Sequence, residues 1–199
     1  MSFRGTVLAI AATVSMAGSL AAQGTGSQAL EIRVRGGGYN ALTNFNELGT
    51  ADTKLGFNTG ATIGLQLNKY VALRTDFTFA RDEQRTGAID TGDHLNKYAY
   101  TGAIQLQYPS AGGVTPYILA GAGGITIHQE DTSGLNKSKV AGVGGVGISY
   151  RIPNSRFAVF TEGLGYLYQL RDFGGTLAGF DKTQFDAAWS AGFSYSIGL

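Results

Sequence analysis

Eleven polar or charged residues stand at alternate positions within otherwise apolar segments: Glu31, Arg33, Arg35, Arg74, Asp76, Gln105, Gln107, Lys139, Arg151, Glu162 and Asp186. Five of them are cationic and four anionic. A face that mixes signs in this way has two chemical uses. Its members can neutralise one another in a closed network of ion pairs and hydrogen bonds. Alternatively they can line a path for protons or small ions, with an arginine such as Arg74 exchanging carboxylate partners. Catalysis has weaker support, because a nucleophile needs a base within reach. His94 and His128 are the only histidines, and the run His128-Gln129-Glu130-Asp131-Thr132-Ser133 places an acid and hydroxyls near one of them at loose spacing. Both histidines read as ordinary polar residues in or beside long connections. The carboxylates between Arg81 and His94 could attract a hard cation but lack the ligand spacing of a calcium loop. The glycines from Gly142 to Gly147 are followed by no helix, so a phosphate cradle fails its context. No catalytic residue, metal or cofactor is expected.

The elements that carry these residues are strands. From Phe185 to Leu199 every odd position is apolar or aromatic, and the even positions are small or polar. Period-two alternation over such a length describes one strand with a greasy face, long enough to cross a bilayer, which takes roughly 9 to 11 tilted residues. Seven earlier segments repeat the pattern, with outward sets Leu30, Ile32 and Val34; Phe57, Ala61, Ile63, Leu65 and Leu67; Val71, Leu73, Phe77 and Phe79; Tyr98, Tyr100, Ile104, Leu106 and Tyr108; Tyr117, Leu119, Ile125 and Ile127; and Val140, Val146, Ile148, Tyr150 and Ile152. The seventh, Arg156 to about Tyr168, is ambiguous, since Phe157 and Val159 share one face while Phe160 and Leu164 take the other. Short connections at Asn68-Lys69, Pro109 to Thr115 and Pro153 to Ser155 alternate with long polar ones at Asn40 to Gly56, Arg81 to Lys97, Gln129 to Ser138 and Gln169 to Gln184. Aromatic residues sort to the two ends, with Tyr70, Tyr108, Tyr117, Tyr150, Phe157 and Tyr195 near the short turns and Phe57, Phe79, Tyr98, Tyr100, Tyr168 and Phe185 near the long connections. An even strand count, alternating connection lengths and two aromatic belts predict an all-β, eight-stranded antiparallel up-and-down transmembrane barrel. The apolar faces then meet lipid, and the charges turn into an interior just wide enough for side chains to fill.

Composition fits this placement. Met1 to Arg4 give a cationic start, Gly5 to Ala17 an uncharged apolar run, and Gly18 to Gln23 the small residues of a cleavage site. Residues 1–22 therefore read as a cleaved secretory signal and 23–199 as one barrel domain. Net charge is +1, which leaves no field to recruit nucleic acid, and Cys is absent, so an exported chain must be stable without disulfides.

The chain resembles the small outer-membrane β-barrels of the OmpA and OmpX type over the whole mature segment. The resemblance is carried by Pro116-Tyr117-Ile118-Leu119-Ala120-Gly121-Ala122-Gly123 and by the closing Ser190-Ala191-Gly192-Phe193-Ser194-Tyr195-Ser196-Ile197. The second is similar to the C-terminal signal read by the barrel assembly machinery, with Gly192, Phe193, Tyr195, Ile197 and Leu199 as its residues, although it ends in Leu rather than Phe. The resemblance implies a monomer in the bacterial outer membrane, in contact with lipid and lipopolysaccharide, with a structural or surface-interaction role and any ligand contacts on external loops. A narrow porin-like channel is the alternative. A lipid-modifying enzyme fits less well, because the His-x-Ser pattern of the deacylase type is missing: Glu130 stands two after His128 and Asn96 two after His94. A soluble carrier would need the apolar faces inward.

Overall fold

The computed structural model describes residues 29–43, 51–53, 55–86, 89–129, 136–170 and 182–198. The expected signal segment lies outside them. Every regular element among the described residues is a strand: β1 (Ala29–Ala41), β2 (Ala51–Thr53), β3 (Gly56–Gln66), β4 (Val71–Thr86), β5 (Ile89–Gln107), β6 (Val114–Gln129), β7 (Asn136–Arg151), β8 (Phe157–Leu170) and β9 (Lys182–Gly198). Eight of these, all but β2, pair antiparallel with their neighbours and close into a barrel. Closure is made by β9 on β1, with Leu30 opposite Ile197 and Val34 opposite Phe193. Gly192 allows that approach, because a Cβ there would run into the Val34 carbonyl.

Alternation decides which way each residue points. The large exposed apolar residues include Ile32, Val34, Ile63, Phe77, Ile104, Leu106, Ile118, Val146, Ile148, Trp189 and Phe193, all on the outward phase of their strands. Left in water, such a surface would be a large apolar patch; in a bilayer it is the solvated face. The girdles are visible as ring contacts. Phe57, Phe79 and Tyr98 pack in a row at the long-connection end, whereas Tyr70 stacks on Tyr108 and Phe157 packs on Tyr195 at the turn end. The turns use local chemistry. Asn68 accepts from the backbone N–H groups of Tyr70 and Val71, and Asn154 takes the left-handed conformation at φ 57°.

Three expectations are corrected. In β6 the large residues face the other way: Tyr117, Leu119, Ile125 and Ile127 are buried inside, and Ile118 is exposed. The cause lies across the seam, where Tyr117 and Leu119 stand opposite Gly147 and Gly145 of β7. A Cβ at Gly147 would meet the Tyr117 ring, so the glycines open interior room that β6 must fill. In β8 the inward phase carries Phe160, Glu162, Leu164, Tyr166 and Tyr168, which resolves its ambiguity. Tyr117 and Tyr168 thus leave the aromatic belts. Finally, most of Arg81 to Lys97 is not loop, since β4 and β5 continue as a paired hairpin beyond Arg81 and β2 adds to the edge of β4. The stretch read as a loop because its sequence lacks the apolar alternation that marks the other strands.

Candidate functional site: the barrel interior

The interior is organised in two polar layers. The first joins β1, β3, β4, β5, β6 and β8. Arg35 lies 3.0 Å from Asp76 and 3.3 Å from Glu162, while Arg74 lies 2.5 Å and 3.0 Å from the same two carboxylates. Two cations and two anions thus form a closed quartet, each group touching both of opposite sign. Most remaining valences are filled locally. Arg35 donates to Thr62 and Thr78, Arg74 to Gln105, and Tyr117 to Glu162 at 3.0 Å. Thr62 donates to Asp76 at 2.6 Å. All four charged residues are buried, so what offsets their desolvation is this mutual pairing, with the Nε of Arg35 alone in the quartet left without a hydrogen-bond partner. Toward the turn end Arg33 pairs with Glu31 at 2.8 Å and lies over the rings of Tyr117 and Phe160.

The second layer sits toward the long connections. The Lys97 ammonium lies 3.0 Å from both Asp82 and Asp186 and 4.8 Å over the Tyr39 ring. Asp186 also accepts from the hydroxyls of Tyr39 and Tyr168, the latter at 2.7 Å. An apolar packing joins the two layers, with Leu95, Ala99, Ile125, Ala141, Val143, Leu164 and Ala188 in one cluster with Tyr39, Tyr117, Tyr166 and Tyr168. The interior is therefore filled by both polar and apolar side chains, where alternation alone suggested a purely polar core.

Of the residues singled out from sequence, Arg35, Arg74, Asp76 and Glu162 meet in the quartet, Gln105 joins it, and Gln107 accepts from Gln105. Glu31 and Arg33 form their own pair, and Asp186 belongs to the second layer. Lys139 and Arg151 stand elsewhere: Lys139 is half-buried near the long-connection end of β7, and Arg151 is exposed at its turn end, both too far along the strand to reach the quartet's level. Lys97, Asp82 and Tyr39 were not anticipated. The signal for Lys97 was available, since Tyr98 and Tyr100 outward place it inward, but reading Arg81 to Lys97 as a loop concealed it. Gly192, Phe193, Tyr195 and Ile197 all lie in β9, and Leu199 is outside the described residues.

The histidines lie in β5 and β6, where His128 pairs in register with Asn96. Among the described residues no group of three or more His, Cys, Asp or Glu side chains is placed to hold a metal ion. What the interior geometry does chemically is neutralise charge and fill space.

Comparison with known proteins agrees with this architecture. Residues 8–196 match the family described as outer membrane protein beta-barrel domain. Among solved structures, the outer membrane protein OprG from Pseudomonas aeruginosa is similar at 15% identity, covering 89% of this chain and 99% of that one with a TM-score of 0.59. Neisserial surface protein A is similar at 12% identity, covering 84% of this chain and 96% of that one with a TM-score of 0.56. At such identities the likeness concerns the fold alone. No curated protein sequence matches significantly. With an apolar exterior, two aromatic girdles and a family match across nearly the whole length, the chain belongs to the outer-membrane β-barrel family.

Proposed function

We propose that this protein is a closed, monomeric barrel of the Gram-negative outer membrane with a structural or surface-interaction role. It is exported by a signal at residues 1–22, inserted through a C-terminal signal that includes Gly192, Phe193, Tyr195, Ile197 and Leu199, and seated among lipid and lipopolysaccharide. Its external connections carry whatever contacts it makes, because a rigid barrel presenting loops separates scaffold from specificity. It has no catalytic role in this reading.

One observation carries the reading against a channel. The quartet of Arg35, Arg74, Asp76 and Glu162 occupies an interior that eight strands leave only side-chain wide, and each of its charges is satisfied by its neighbours. The test is solute flux. Barrels reconstituted in liposomes should swell in sugar and amino-acid solutions no faster than empty vesicles, and planar bilayers should show no steady conductance. Stable single-channel steps, abolished by bulky substitution of inward residues, would establish the channel reading instead.

A further inference from the structure

The wall parts between β7 and β8. These strands pair from Arg151 opposite Ala158 as far as Ala141 opposite Tyr168, and among the described residues no pair forms beyond that rung. Both strands nevertheless continue, β7 along β6 to Asn136 and β8 along β9 to Leu170. At the split lies a cavity of about 480 Å³ lined by Lys139, Val140, Leu167, Tyr168, Gln169 and Thr183. Val140 and Leu167 are on the lipid-facing phase and well exposed. Lys139 and Tyr168 are on the inward phase, and Tyr168 is held by its bond to Asp186. The crevice thus runs from lipid, through the wall, toward the interior. Its depth in the membrane follows from register, because Leu167 stands opposite Phe185 of the aromatic belt at the long-connection end.

We propose that this crevice binds a single-chain amphiphile with an anionic head, of the fatty-acid type, drawn from the surrounding leaflet. The apolar chain lies on Val140 and Leu167, the carboxylate reaches the Lys139 ammonium, and Gln169 and Thr183, paired on the lipid-facing phase, give the crevice a polar outer rim. Charge selects the head, because Lys139 is the one ionic side chain among the described lining residues. An ammonium has three donors, so it holds a carboxylate while keeping another contact. About 480 Å³ falls within the range of roughly 300–1,000 Å³ that accommodates small ligands, so there is room for one chain. The site rests on the barrel's place in a membrane and is separate from whether the interior conducts.

The test is native mass spectrometry of the purified full-length barrel released from non-ionic detergent, with myristate as probe and myristyl alcohol as the neutral control. One myristate should be retained per barrel, and binding should be about tenfold weaker for the alcohol and for Lys139→Gln, with Lys139→Arg restoring it. A second arm compares the two redox forms of one variant. Val140 and Gln169 would form the next rung beyond Ala141 and Tyr168, so in the double variant Val140→Cys with Gln169→Cys oxidation should zip the seam and expel whatever myristate the reduced form of that same variant holds. The chain has no cysteine of its own to interfere. Retention of the alcohol equal to that of myristate, unchanged binding in Lys139→Gln or in the oxidised double variant, or no retained myristate would each overturn the proposal.

Discussion

Asp76 and Glu162 are each contacted by both Arg35 and Arg74, so the four charges stand or fall together. Removing one carboxylate leaves two buried guanidinium groups sharing the other. Glu162→Ala should therefore destabilise the folded barrel by about 3–5 kcal/mol, read as the shift in urea unfolding of the protein in vesicles. Glu162→Gln should cost less, because the amide still accepts from Tyr117 and Arg74. A cost for Glu162→Ala no greater than that of an exposed salt bridge, up to about 1 kcal/mol, would mean that water replaces the quartet. In the second layer Asp186 is the shared acceptor for Lys97, Tyr39 and Tyr168. Tyr168→Phe removes one donor and should cost about 1 kcal/mol. Asp186→Ala strands all three and should lower the temperature of the heat-modifiable gel shift well beyond that single change.

At the scale of elements, the inverted face of β6 shows how one strand's phase is set by its partner. Tyr117 and Leu119 lie inside because Gly147 and Gly145 of β7 leave space opposite them. Single cysteines introduced at Ile118 and Ala120 should react with a maleimide dissolved in the bilayer, whereas one at Leu119 should stay protected until unfolding. Reaction at Leu119 with protection at Ile118 would restore the face read from sequence. Gly147→Leu should hinder folding altogether, because its side chain meets the Tyr117 ring; heat-modifiable migration would report the unfolded fraction.

For the whole molecule, the decisive contact is the one that joins its ends. β9 pairs with β1 from Ala29 opposite Gly198 to Ala41 opposite Asp186, burying both edges that an open sheet would expose to lipid. Phe193→Ala with Tyr195→Ala should slow assembly in cells, raising the amount of unassembled chain in the periplasm, while the refolded variant still forms a barrel in detergent. Equal assembly of variant and parent would remove these residues from the assembly signal.

Strand number, connection order, the lipid face of most strands and the closing pair were legible in the sequence, because alternation is local and the bilayer leaves only closed pairing as a solution. The sequence also contained the quartet's members, since Arg35, Arg74, Asp76 and Glu162 all fall on the phase opposite the apolar sets. It could not say who meets whom. Arg74 and Glu162 come together from strands far apart in the chain, across an interior whose diameter only closure sets. Lys97 was legible from the outward phase of Tyr98 and Tyr100 and was concealed only because Arg81 to Lys97 reads as a loop, but nothing local could choose the face of β6, where both phases are apolar and the vacancy beside Gly147 decided. Local pattern fixes an element's type and its two faces; which face turns inward, and which charges then pair, depends on volume and register shared between strands, and these exist only once the barrel has closed.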